Sequence, residues 1–426
     1  MPEDHFAVPL PSAMQTKTNG RSLPKGWQWV KFGYVMAESQ PGFASGKRDP
    51  KGVIQLRMNN VDTRGNLLWD EFIRVPAEQP TIEKYKLRLG DVVFNNTNST
   101  ELVGKSALFN GHEEAVVYSN HFTRLRAKSD VAVPGFVAYW LISQWQAKTF
   151  EKICNRWIGQ SAVKTDKLFA LEIPLPPLDE QRRIASRLNE QLAAVESARK
   201  AAEEQLQAAW QLPSAYLKSV FDIVSNGNTK NIADVCEIKG GKRLPSGTKF
   251  SEIKTSHPYI RVLDFENGTV NTSNLKYIDE ETHKIIWRYI IKREDVYLSI
   301  AGTIGVAGII PDELDGANLT ENACRLVIKD KQLLDRNYLA TILQSSLGQE
   351  QIKVKTNQVG QPKLALTRIA TISLPVPPLK EQQRISAFLS EKLLYAKQLE
   401  TKLESQLAEI ESLPASLLRE AFAGQL

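Results

Sequence analysis

The chain has 426 residues, a formal net charge of +6 and 42% hydrophobic residues, a balance that predicts two or three globular domains with ordinary cores. No stretch reaches the roughly 18 apolar residues that a bilayer crossing requires, and the most apolar run, residues 301–310, carries three glycines. The start, Met1-Pro-Glu-Asp-His5, lacks the basic-then-apolar order of a secretory signal, and Cys154, Cys236 and Cys324 are too few and too scattered for a disulfide framework or a zinc site; the expected compartment is the cytoplasm.

In chain order, residues 1–22 form an extension whose Pro9-Leu-Pro-Ser favours irregular structure. Residues 23–172 form a mixed α/β domain, with strands predicted over 52–58, 91–94 and 114–118 and a helix over 135–154. Residues 173–228 hold a long helix. A second α/β domain follows over 229–373, with strands at 258–263, 295–300 and 324–328 and a helix at 337–354. Residues 374–426 hold a second long helix.

The two helical segments repeat one another. Residues 174–221 and 375–422 align without a gap at a constant offset of 201. The first opens Pro-Leu-Pro-Pro-Leu-Asp-Glu-Gln-Arg-Arg-Ile, the second Pro-Val-Pro-Pro-Leu-Lys-Glu-Gln-Gln-Arg-Ile. Asp179 or Lys380 is the entry residue, and Glu180 or Glu381 favours the positive end of the helix dipole. Apolar residues then recur at heptad spacing: Leu188, Val195, Ala202, Ala209 and Tyr216 in the first copy, Leu389, Ala396, Leu403, Ile410 and Leu417 in the second. Ile184, Leu192 and Leu206, and Ile385, Leu393, Leu399, Leu407 and Leu413, fill the neighbouring stripe. Such stripes need a helical partner, and each copy is the other's nearest match; antiparallel packing is expected. Pro213 and Pro414 are predicted to kink or end the helices. About 33 residues of helix span roughly 50 Å, or about 15 base pairs of duplex.

The α/β domains are related more distantly. Leu56-Arg57 matches Ile260-Arg261, Gly90-Asp91-Val92 matches Glu294-Asp295-Val296, Arg124-Leu125 matches Arg325-Leu326, and Gly159-Gln160 matches Gly360-Gln361. The chain is an internal duplication, a pseudo-twofold arrangement of diverged domain and well-matched helix. Each helix segment, residues 179–222 and 380–426, carries seven acidic and six basic side chains, so the surplus of cations lies in the domains. That balance is compatible with a nucleic-acid partner.

Several activities have no support in the residues. There is no Gly-x-x-x-x-Gly-Lys-Ser/Thr loop, and the glycines of residues 302–308 have the wrong spacing for a dinucleotide fingerprint. No Asn/Asp-Pro-Pro-Tyr/Phe motif for base methylation occurs. The five histidines have no metal-ligand spacing. No catalytic or metal-binding residue is nominated.

The doubled Pro-Pro-Leu-x-Glu-Gln-x-x-Ile entry, the Gly-Gln-Ser and Gly-Gln-Pro-Lys-Leu steps some fifteen residues before each helix, and the ending Leu-Leu-Arg-Glu-Ala-Phe-Ala-Gly-Gln-Leu together resemble the specificity (S) subunit of Type I restriction-modification enzymes. The resemblance runs from Leu23 to Leu426. It implies two target recognition domains, each reading one half of a split duplex site. It implies two helices that fix the gap between half-sites and dock two modification (M) subunits. Those partners use S-adenosylmethionine, and restriction (R) subunits use ATP and magnesium; this chain would bind no cofactor itself. The alternative is a coiled-coil adaptor between proteins, without DNA binding.

Base edges are read chiefly by Arg, Lys, Asn and Gln, and phosphates by Lys and Arg. The DNA-facing candidates in the first domain are Arg57, Asn59 and Asn60 after one strand, Asn95, Asn96 and Asn98 after another, Lys47, Arg48 and Lys105 for phosphates, and Gln160 and Lys164 on the Gly-Gln step. The second domain offers Lys242, Arg243, Arg261, Lys353, Lys355, Gln361 and Lys363. Competing readings stay open: Arg57 and Arg261 match each other, which favours a structural role, the asparagines suit turns, and the Gly-Gln step could simply launch the helix. Helix-helix and partner docking is assigned to Leu188, Val195, Ala202, Leu389, Ala396, Leu403 and Ile410.

Overall fold

A computed structural model describes residues 23–224, 227–356 and 362–426. The chain divides into two compact units, one ending at Ala201 and joined by Leu407–Leu426, the other Ala202–Gln406. Each unit contains one α/β domain, the start of the helix that follows it, and the end of the other long helix.

In the first unit, a four-stranded antiparallel sheet has the order Met36–Pro41, Phe122–Ala127, Val92–Asn95, Ser106–Leu108. The strand Val92–Asn95 pairs on both edges and is buried on both faces, as its apolar run of two valines and Phe94 allows. A second sheet sets Val53–Leu56 antiparallel to Ile73–Val75 and parallel to Val116–Tyr118. The second unit repeats this order: Cys236–Gly240, Ala323–Ile328, Val296–Ser299, Ala307–Ile309 in one sheet. Its other sheet sets His257–Ile260 parallel to Ala317–Leu319. A short pairing closes each domain, Gln28–Lys31 with Glu172–Leu175 and Thr229–Asn231 with Ser373–Pro375. It delivers the chain to the Pro-Pro step.

Two expected helices are each broken. The first splits into Pro134–Gln146 and Thr149–Ile153, with Lys148 in the left-handed region at φ 56°. The second splits into Arg336–Gln344 and Ser346–Lys355, where Ser345 is extended. At that break Gly348 crosses so close that a Cβ would lie 2.5 Å from the Ile342 carbonyl oxygen, so no larger residue fits. The strands expected at 52–58 and 258–263 are also shorter. They stop at Leu56 and Ile260 and pass into short 3-10 turns.

The long helices run Leu178–Val224 and Leu379–Phe422, 47 and 44 residues. Pro213 and Pro414 therefore do not end them; both lie inside. Core contacts hold each helix through its last turns despite the missing donor. In the first unit Ile184 and Leu188, near the start of one helix, share a core with Leu418 and Ala421, near the end of the other. Farther along, Leu192, Val195 and Arg199 line a cleft of about 620 Å³ with Leu418, Pro414 and Ile410. The numbering rises on one helix as it falls on the other, so the pair is antiparallel. In the second unit the equivalent ends meet, Leu217 and Phe221 with Ile385 and Leu389. Equivalent ring contacts secure them: Phe136–Phe422 at 5.1 Å and Phe221–Tyr338 at 5.9 Å.

Of the docking residues, Leu188, Ala202, Leu389, Ala396 and Leu403 are buried, and Val195 and Ile410 half-buried. Leu413, expected in the stripe, is instead 44% exposed.

The Glu-Gln of the repeated motif has a defined task. Gln181 is fully buried, accepts from the Val133 amide at 2.8 Å and donates to the Val131 and Pro176 carbonyls. Gln382 makes the same three bonds with the Asp335 amide and the Leu333 and Pro377 carbonyls. Each amide satisfies both of its polar ends inside the core, as burial demands, and thereby fixes a helix start to its domain. The neighbouring pairs Glu180–Arg183 and Glu381–Arg384, both at 2.7 Å, lie on the surface.

Candidate nucleic-acid interface

The two domains share a construction at the carboxyl ends of their parallel strands. In the first, Phe43 donates its amide to the Tyr118 carbonyl and Ser119 donates to Leu56. In the second, Lys242 donates to Leu319 and Thr320 to Ile260. A glycine precedes the crossing residue each time. A Cβ on Gly42 would sit 2.3 Å from the Ser119 oxygen, and one on Gly241 2.0 Å from the Thr320 oxygen, so only glycine lets the segment pass over the strand ends. A strand side chain then holds the crossing residue. Gln55 donates to the Phe43 carbonyl at 3.0 Å and Tyr259 to the Lys242 carbonyl at 2.8 Å.

From the same strand each domain makes its 3-10 turn, Met58–Asn60 or Val262–Asp264. The last residue caps it: the Arg57 amide donates to Asn60 Oδ1 at 2.9 Å, the Arg261 amide to Asp264 Oδ2 at 2.7 Å. The structural reading of the matching arginines thus covers their backbone. Their side chains differ. Arg261 grips Asp264 with two nitrogens, and this pairing holds its pKa above the usual arginine value. Arg57 donates only to the Ser45 carbonyl and has no carboxylate partner among the described residues. Its Nε is buried and unpaired, as are Gln55 Oε1 and Ser119 Oγ beside it. Burial, then the charge of Arg48, lowers the Arg57 pKa, and burial followed by Arg57 lowers that of His121. Uncompensated buried polar atoms are uncommon in a native fold, and here three gather at one edge.

Lys47 and Arg48 are exposed on the segment that crosses this edge. Lys105 is not. It is 7% exposed, and its ammonium donates to the Met58 and Val61 carbonyls, so it braces the first turn from beneath. The sequence misled because a lysine next to a strand reads as surface charge. Asn60 is likewise buried, donating to the Leu68 and Glu71 carbonyls. Asn95 donates to the Thr97 and His121 carbonyls, Asn96 to Thr123 Oγ1, and Asn98 to Asn95 Oδ1. The side-chain amides of these four are committed to hydrogen bonds inside the domain. Asn59 is exposed.

In the second domain Lys242 and Arg243 are exposed at the crossing. Arg243 pairs with Glu321 at 2.6 Å, and the Lys242 ammonium lies 5.6 Å from the Tyr289 ring centre. Lys353 and Lys355 lie on the helix Ser346–Lys355, where Lys355 donates to Thr371. Lys363 is exposed and bridges to Ala301. Gln361 lies outside the described residues. Gln160 and Lys164 are exposed on and beside the hairpin Asn155–Trp157/Gln160–Ala162, which pairs with Thr97–Asn98. Gly159 at φ 80° makes its turn. Sequence reasoning missed Tyr259, Ser119 and the two crossing glycines, because nothing local distinguishes them.

Among the described residues no group of His, Cys, Asp and Glu could hold a metal ion, and no helix is long and apolar enough to cross a membrane.

The chain matches the model of the Type I restriction modification DNA specificity domain twice, over residues 24–206 and 225–409. It belongs to that family: it is a specificity subunit of the Type I restriction-modification class, with two target recognition domains. It is 25% identical over 399 residues to a putative type I restriction enzyme MjaX specificity subunit of Methanocaldococcus jannaschii, covering 87% of each chain. Among solved structures it resembles a chain from a study of complex assembly and conformational transition in a type I R-M system, with a TM-score of 0.72, 23% identity, and coverage of 95% of this chain and 100% of that one. The HsdS subunit from Thermoanaerobacter tengcongensis follows with a TM-score of 0.62, 23% identity, and coverage of 96% and 99%.

Proposed function

We propose that each recognition domain, near residues 23–172 and 229–373, reads its own half of a split duplex site through the carboxyl edge of its parallel strands. The observation that carries this reading is one backbone construction, built twice and dressed with unlike side chains. A shared backbone suits a shared ligand, and unlike side chains suit two different base sequences. The chain itself is non-catalytic on this reading. Its helices, near residues 173–228 and 374–426, set the gap between half-sites and dock two modification subunits, which supply S-adenosylmethionine chemistry. Restriction subunits that use ATP and magnesium join them in the cytoplasm.

The test is binding and modification by the chain purified with its modification partner. Duplex affinity should fall steeply with salt, since a reader that neutralises several phosphates releases their counterions. Methylated adenines should lie in a motif of two short parts. Salt-independent binding, or one continuous methylated motif, contradicts the proposal.

A further inference from the structure

We propose that the apex of the shared turn, Asn59 in the first domain and Leu263 in the second, selects one base pair in each half-site: Asn59 an adenine, Leu263 a thymine methyl. This rests on the reading of the two domains as half-site readers and names the side chains that do it. The turn has four positions. The first is arginine in both domains, and the fourth, Asn60 or Asp264, caps it in both. The second, Met58 or Val262, is half-buried in both. The third is exposed in both and unlike in chemistry.

Each apex side chain is otherwise unused. Asn59 is the one candidate asparagine of the first domain whose amide makes no hydrogen bond among the described residues, while Asn60, Asn95, Asn96 and Asn98 are committed internally. A free amide offers the donor and acceptor that match N6 and N7 of adenine in the major groove. Leu263 is 85% exposed on a turn that Asp264 already holds, so its side chain contributes little to folding. An apolar tip facing a base edge has one partner in the major groove, the C5-methyl of thymine. The crossing segment carries exposed cations, Lys47 and Arg48 or Lys242 and Arg243. It is tied to the turn or to the strand that leads into it, through Arg57 and the Ser45 carbonyl in the first domain and Tyr259 and the Lys242 carbonyl in the second, which suits a surface that meets phosphates and base edges together.

The experiment uses the full chain with its modification subunits, and single-molecule sequencing of host DNA to read methylated sites. N59L should relax or change one position of the first half-site, with roughly tenfold or greater loss of discrimination there, and leave the second half-site intact. L263N should do the converse. The milder L263A should relax the same position. In vitro, thymine-to-uracil replacement at one position of the second half-site should weaken binding by the wild type and not by L263A. Unchanged motifs in all three variants, a change in both half-sites from one substitution, or a second half-site without an A·T pair would overturn the inference. A change in both half-sites also counts against separate reading by the two domains; in the other two cases a wild-type motif of two parts leaves that reading standing, and a continuous wild-type motif removes it instead.

Discussion

The helix entries of the two units are near copies, whereas the edges at the carboxyl ends of their parallel strands share a backbone and little else. At the entries, Gln181 and Gln382 make the same three hydrogen bonds, and Phe422 and Phe221 fill equivalent places against Phe136 and Tyr338. At the edges, one turn is braced by a buried lysine and carries an unneutralised arginine, and the other closes its arginine onto Asp264. Sites that meet the same neighbours keep their side chains. The strand-end edges, with unlike side chains, keep only the hydrogen bonds that shape them.

The largest expected effect tests the likeness of the entries. Q181L and Q382L each strand a buried amide and two carbonyls, at a cost of about 3 kcal/mol in urea unfolding, and the two losses should be similar. A loss in one unit only would break the equivalence. Next comes the brace. K105M removes the ammonium from the Met58 and Val61 carbonyls and should cost about 2 kcal/mol, confined to the first domain. Burial lowers the Lys105 pKa below its unfolded value. The unfolded chain therefore holds that proton to higher pH, and wild-type stability should rise as pH climbs from the folded pKa towards the usual lysine value of about 10.4. K105M should lack that rise, and an unaltered pH profile would show that the ammonium is not buried. The smallest effect concerns the second turn. D264N places there the residue that the first turn already uses, so the cap survives and only the pairing with Arg261 is lost. Stability should fall by about 1 kcal/mol, since the substituted side chain keeps the cap and the Arg261 guanidinium, a quarter exposed, reaches water, and duplex binding should become more salt-dependent as a cation is freed. An unchanged salt dependence would mean that Arg261 faces away from phosphate.

The duplication, the antiparallel helices and the docking stripe were legible because helix periodicity and a gapless repeat are local patterns. Gln181 and Gln382 could be seen as repeated, though not why, since their partners lie about fifty residues away. Pro213 and Pro414 do not end the helices because packing of Leu217, Phe221, Leu418 and Ala421 outweighs one missing donor. Lys105 misled because burial of its ammonium depends on two carbonyls of a turn far off in sequence. The candidate edge stayed hidden for the same reason: Gly42 and Gly241 matter through the carbonyls of Ser119 and Thr320, and no window of sequence contains both.

The account's central claim is independent reading by two domains on one common backbone. Its most direct measurement is the methylated motif of a host carrying the partner subunits and a chain whose residues 23–172 come from a relative. The account predicts a new first half-site, with the second half-site unchanged. A motif altered in both parts, or in neither, contradicts it.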